Sequence, residues 1–199
     1  MTRPHLEFWF EFASTYSYLS AMRLPELAQQ AGVDVTWQPF LLGPIFKSQG
    51  LNTTPFKTHA AKGDYMWRDV GRRARQQGLE FHPCDPFPLN SLLAARVAQA
   101  LPQGPAKVAF CQSVYAAAFS QRKDISDVEV IAACAAAAGL PDDVLETARA
   151  PETKQALRTA TENAMSKGIF GAPTFLVGEE MFWGDDRLED ALNWARNLS

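Results

Sequence analysis

Two periodicities divide the chain. Leu6, Phe8, Phe10 and Phe12 alternate with Glu7, Trp9 and Glu11, a period of two that predicts a strand over 6–12. Val33, Val35 and Trp37 alternate in the same way and predict a second strand over 33–40. Between them Leu19, Met22, Leu27 and Ala28 recur at helical spacing. Ser14 is placed to cap this helix, because its hydroxyl can accept from the N–H groups of the first turn. Pro25 should kink the helix and Gly32 should end it. Strand, helix and strand joined by short connections predict a βαβ unit with parallel strands.

The middle of the chain is different. Residues 41–56 carry glycine, proline and asparagine throughout and read as a loop, which holds Lys47 and Asn52. Helical patterns follow over 62–77, from an Asn90 cap to 101, and over 105–121. Three more run from a Ser126/Glu129 capping box to 138, from Pro141 to 149 and from Pro151 to 167. Arg68, Arg72, Arg73 and Arg75 fall on the first of these and read as a solvated face, with anion binding as the alternative. Residues 81–88 are proline-rich and turn-like.

The C-terminal part returns to strands. In Gly168-Ile169-Phe170-Gly171-Ala172-Pro173-Thr174-Phe175-Leu176-Val177 a glycine stop and a turn lead through proline into an apolar run, a buried strand. Pro173 either begins an edge strand in the trans form, or is cis and leaves the N–H and C=O of Ala172 free for an extended, peptide-like ligand. Glu179-Glu180 reads as a hairpin tip and Met181-Phe182-Trp183 as the returning strand. Gly184-Asp185-Asp186-Arg187 opens a last helix, with Leu188, Ala191, Leu192 and Ala195 facing inward. Neither end alone makes a sheet that covers its own faces. Together they predict an α/β fold: a thioredoxin-like four-stranded sheet built from 1–58 and 168–199, with an inserted all-helical domain over 59–167. In that arrangement the helix start at Ser14 meets Pro173, and the cis form is the expected one.

Composition narrows the class. The 199 residues suit one domain, or one domain with an insertion. A net charge of −3 argues against a nucleic-acid partner. The start Met-Thr-Arg-Pro-His lacks the apolar core of a signal peptide, and no apolar run approaches the ~18 residues of a membrane span. Cys84, Cys111 and Cys134 form no CxxC pair and no metal-ligand spacing. Cys111 and Cys134 lie on alanine-rich helical patterns and read as buried thiols in a reducing cytoplasm.

A helix N-terminus presents unpaired N–H groups and partial positive charge, and so favours a thiolate. No cysteine precedes Cys84, which excludes a dithiol–disulfide mechanism at this helix start. Ser14 either only caps the helix or donates a hydrogen bond to a thiolate that a ligand supplies. Asp185 and Asp186 either cap their helix and meet its dipole, or accept from an ammonium such as that of a γ-glutamyl group.

Phe10-Glu11-Phe12-Ala13-Ser14-Thr15-Tyr16-Ser17-Tyr18-Leu19, the Gly-Ala-Pro-Thr-Phe strand, Phe87-Pro88-Leu89-Asn90-Ser91-Leu92 and the Phe-Trp-Gly-Asp-Asp-Arg-Leu ending occur in one order. Taken together they resemble the 2-hydroxychromene-2-carboxylate isomerases, glutathione-dependent relatives of the kappa-class glutathione transferases within the DsbA-type, thioredoxin-like group. The resemblance covers nearly the whole chain. It implies that Ser14 is the catalytic serine holding the glutathione sulfur as a thiolate. Thr15, where the family usually has proline, and Tyr16 join Ser14 in the cofactor-binding set. The backbone of Ala172 and Pro173 would hold the cysteinyl part, and Asp185 and Asp186 the γ-glutamyl end. Asn52 falls where the family's loop contacts glutathione, and Lys47 where a lysine reaches the substrate carboxylate. The implied reaction is reversible addition of the thiolate to a conjugated aromatic pyruvate-type substrate, with glutathione as an unconsumed cofactor. Trp9, Tyr16, Tyr65, Trp67, Phe87 and Trp183 would wall the pocket or fill the core. A kappa-type transferase and a non-catalytic glutathione-binding module use the same residues. Relatives of this kind pair into homodimers, which is the expectation here.

Overall fold

The computed structural model describes residues 3–198. Met1 and Thr2, part of the stretch compared with a signal peptide, and Ser199, at the end of the sheet-forming segment, lie outside them. The chain runs β1 (His5–Phe10), α1 (Thr15–Ala31), β2 (Asp34–Pro39), α2 (Leu42–Ser48), α3 (Pro55–Thr58) and α4 (Ala60–Gln76). It continues through α5 (Leu92–Ala100), α6 (Pro105–Tyr115), α7 (Val128–Ala137), α8 (Val144–Arg149) and α9 (Pro151–Ser166) to β3 (Thr174–Val177), β4 (Glu180–Trp183) and α10 (Leu188–Asn197). The strands form one sheet in the order β2-β1-β3-β4. β1 pairs parallel with β2, Phe8 opposite Trp37, and antiparallel with β3, Phe8 opposite Phe175. β3 and β4 form the antiparallel hairpin. This is the expected α/β, thioredoxin-like sheet.

The alternation along β1 describes one face. Leu6, Phe8 and Phe10 are buried in the main core, where the Phe8 ring lies 5.1 Å from Phe10, 5.4 Å from Phe175 and edge-on to Trp37 at 4.9 Å. Trp9 points the other way and is buried too, in a smaller cluster with Phe40, Ile45, Ala164, Ile169 and Leu176. Residues of α2 and α9 cover that second face, so the central strand is enclosed on both sides. The main core also reaches into the helical segment: Phe12 packs on Tyr115 of α6 at 5.1 Å.

Several local expectations shift. β1 stops at Phe10, and Glu11 and Phe12 leave the ladder. The loop expected over 41–56 contains α2 and α3. α2 has no side-chain cap, so its burial of Ile45 rather than a local signal supports it. Asp127 caps α7 by accepting from the Glu129 N–H at 2.9 Å, while the Ser126 N–H turns to Asp124. α5 begins after Ser91 rather than Asn90, although the Asn90 side chain does accept from the Leu92 N–H at 3.3 Å. The helix over 105–121 changes to a π turn at 116–120. The hairpin turns at Gly178-Glu179, where Gly178 has φ +60°, and Glu180 already belongs to β4. Gly32 ends α1 in the left-handed region, φ 69°, as expected.

Candidate active site

The N-terminus of α1 meets the start of β3. Ser14 has extended backbone angles, and its Oγ accepts from the Ser17 N–H at 3.1 Å. The same hydroxyl donates to the carbonyl oxygen of Ala172 at 3.0 Å, 158 positions along the chain. The Ala172–Pro173 peptide is cis, as expected. The Ala172 carbonyl is therefore not free: the Ser14 hydroxyl occupies it. The Ala172 N–H has no intramolecular partner among the described residues. Beyond Pro173 the Gly184 N–H donates to the Pro173 carbonyl at 2.9 Å, which ties the acidic turn at 185–187 to the same place.

These groups open into a cleft of about 1220 Å³. Ser14, Thr15, Tyr16, Asn52, Ala172, Asp185 and Asp186 all line it. Pro173 does not; it is buried behind Ala172. Lys47 also does not, and lies exposed on the last turn of α2, while Lys62 of α4 does line the cleft. Of the expected aromatic residues Tyr16, Tyr65, Phe87 and Trp183 form wall, whereas Trp9 is core and Trp67 packs against Phe81 and Phe87. Phe170 and Trp183, half exposed, meet edge-on at 4.8 Å along one rim.

One cleft residue escaped the sequence reading. Glu11 is buried, and burial pushes its carboxyl above the usual range against the pull of its hydrogen bonds. Its carboxylate accepts from the Ala13 N–H at 3.2 Å, from the Leu42 N–H at 3.1 Å and from the Ser91 hydroxyl. Its carbonyl accepts from the Ser14 N–H at 3.0 Å and from the Tyr115 hydroxyl at 3.0 Å. Glu11 thus joins the Ser14 turn, the start of α2 and the loop before α5. An acidic residue immediately after an alternating apolar run was the available signal; the alternation assigned it to an outward face.

The other end of the cleft is ionic. Asp185 is 1% exposed and both its oxygens are engaged: Oδ1 by the Ser20 hydroxyl and Arg23, each at 2.9 Å, and Oδ2 by Arg73 at 3.4 Å. Asp186 is 47% exposed and pairs with the adjacent Arg187 at 3.2 Å. The Tyr16 hydroxyl donates to Asp69 at 3.0 Å, and Asp69 in turn pairs with Arg73. Burial, then the Asp69 hydrogen bond, raise the Tyr16 pKa and keep it a neutral phenol. The two carboxylates expected to act alike are therefore unlike: one is a buried, ion-paired anchor, the other an accessible acceptor.

A family model for the DSBA-like thioredoxin domain matches residues 5–193. The chain belongs to the DsbA-like thioredoxin family. The chain is 29% identical, over 191 residues, to a 2-hydroxychromene-2-carboxylate isomerase of Sphingobium xenophagum, covering 92% of this chain and 94% of that one. It is 27% identical, over 192 residues, to the Pseudomonas putida protein of the same name, covering 92% and 90%. Among solved structures, a 2-hydroxychromene-2-carboxylate isomerase superposes with a TM-score of 0.88 at 24% identity over 98% of this chain and 95% of that one. The cytosolic disulfide reductase DsbM of Pseudomonas aeruginosa, described with GSH, superposes at 0.67 with 16% identity over 98% and 96%. This DsbA-like chain carries a serine at the start of α1, and its free cysteines lie elsewhere, Cys111 and Cys134 being buried.

Proposed function

We propose that the protein is a glutathione-dependent isomerase acting on 2-hydroxychromene-2-carboxylate or a similar aromatic pyruvate-type substrate. The observation that carries this reading is the Ser14 hydroxyl held between the first turn of α1 and the Ala172 carbonyl, in the lining of a large cleft with aromatic residues in its wall. The names of the similar proteins support the reaction class.

The mechanism follows from groups on this chain. The Thr15 and Tyr16 N–H groups, at the first helical positions, have no intrahelical acceptor and point their partial charge outward. The Ala172 N–H and carbonyl would hold the backbone of a bound cysteinyl segment, and the Ser14 hydroxyl would turn from that carbonyl to donate to the ligand sulfur. A free thiol titrates at about 8.5, so these donors move the bound form toward thiolate at neutral pH. When bound, glutathione would supply a thiolate that adds reversibly to a conjugated carbon of the substrate, would let the former double bond rotate, and would be released unconsumed. Lys62, the lysine in the cleft lining, is our candidate for the substrate carboxylate in place of Lys47. We infer a cytoplasmic setting from the free cysteines and a homodimer from the resemblance, the latter to be measured by light scattering.

The test is ultraviolet monitoring of 2-hydroxychromene-2-carboxylate conversion with and without glutathione. Conversion that requires glutathione and leaves its concentration unchanged supports the isomerase. Consumption of glutathione with electrophiles, without isomerisation, indicates a kappa-type transferase instead. Glutathione binding with neither activity indicates a binding module.

A further inference from the structure

Arg73 is a cation in the cleft wall that the mechanism above does not use. Its Nε donates to Asp69 at 3.0 Å and its Nη1 to Asp185 at 3.4 Å. Its Nη2 has no hydrogen-bond partner among the described residues. The side chain is 32% exposed, so the guanidinium is held by two acids yet keeps a face toward the cleft. Asp185 is buried, and Ser20, Arg23 and Arg73 already hold its two oxygens, so it offers a ligand ammonium little access. Asp186 is the accessible carboxylate beside it. A second cavity of about 350 Å³ shares Asp69, Arg73, Asp185 and Asp186 with the cleft and extends this polar end toward Arg23 and Arg72. The cleft therefore ends in one partly free guanidinium and one accessible carboxylate, the complement of an α-amino acid head carrying −1 and +1.

We propose that Arg73 is a specificity-determining residue that binds the α-carboxylate of the γ-glutamyl end of glutathione, with Asp186 alone taking the ammonium and Asp185 serving to hold Arg73 in place. This rests on the glutathione reading of the cleft. The guanidinium fork suits a carboxylate in a way a lysine does not.

The experiment measures binding by calorimetry, for glutathione and for 4-aminobutanoyl-Cys-Gly, which lacks only that carboxylate. Wild type should favour glutathione by about tenfold or more, the worth of a charge-assisted hydrogen bond. Arg73→Gln should bind both ligands alike, at the affinity wild type has for the analogue, and Arg73→Lys should recover part of the preference. Equal weakening of both ligands in Arg73→Gln, with the wild-type ratio intact, overturns the proposal and makes Arg73 structural. Equal binding of both ligands by wild type overturns it without any variant, so a misfolded Arg73→Gln leaves the test intact. Wild type that binds neither ligand instead removes the glutathione reading itself, and this proposal with it.

Discussion

Lys107→Met should stabilise the protein. Lys107 lies in the first turn of α6 and packs inward, with 3% of its surface exposed. Its ammonium has one hydrogen bond, a long one to the Leu101 carbonyl at 3.4 Å, and no carboxylate partner among the described residues. Burial therefore pulls its pKa below the ordinary 10.5, against a smaller opposing influence from Cys111. Methionine has similar length and fills the same space without a charge. The lost hydrogen bond costs about 1 kcal/mol. Relief of a poorly partnered buried ammonium returns several kcal/mol by the usual measure of buried ions. The net gain is about 2 kcal/mol, or about 4–8 °C in Tm for a chain of this size. The sign with pH is fixed by linkage. A base whose folded pKa is lowered destabilises the fold fully below that pKa, and the penalty is gone above the unfolded value. The advantage of Lys107→Met should thus be greatest at neutral pH and close as pH approaches 10.5. Thermal melts across that range read both quantities. A variant that melts at or below wild type at neutral pH, or an advantage that grows with pH, refutes the reasoning.

Glu11→Ala leaves the Ala13 and Leu42 N–H groups and the Ser91 hydroxyl without their acceptor; removing a buried charge offsets part, and Tm should fall by about 4–8 °C in a thermal melt. Asp185→Asn breaks two ion pairs, but Arg23 keeps Glu189 and Arg73 keeps Asp69; denaturant unfolding should show a loss of about 2 kcal/mol, below the usual ~3–5 for a fully buried pair. Gly171→Ala drives a Cβ into the Trp183 indole nitrogen. Because that indole is half exposed it should swing outward, changing stability by less than about 1 kcal/mol while raising KM in the conversion assay through the altered rim.

What the sequence made legible was local. The period of two in β1 and β2, the Ser14 cap and Gly32 are each signalled by neighbouring residues, and the structure has all of them. The meeting of Ser14 with Pro173 was also legible, because the order of strands and helices implied the sheet that brings them together. What failed depended on distant partners. Gly43 and Pro44 made α2 read as loop, and the burial of Ile45 beside Trp9 and the Leu42–Glu11 bond, which supply its support, are tertiary. The alternation puts Glu11 on an outward face, because the period of two continues two residues beyond the end of the ladder at Phe10. Asp185 looked like a free carboxylate because its partners Ser20, Arg23 and Arg73 lie 165, 162 and 112 positions away. The resemblance pointed to Lys47, and only the path of the intervening chain puts Lys62 in the cleft lining instead.

The central claim is that Ser14 and the α1 N-terminus hold a ligand thiol as its thiolate. Titration of wild type and Ser14→Ala with glutathione at neutral pH, followed by thiolate ultraviolet absorbance and by calorimetry, tests it directly. Wild type should show a saturable thiolate signal, and Ser14→Ala should bind with much less of it, because losing a charge-assisted hydrogen bond raises the bound thiol pKa by about 1–2 units. Saturable binding by wild type with no thiolate signal, or an equal signal in Ser14→Ala, would contradict it.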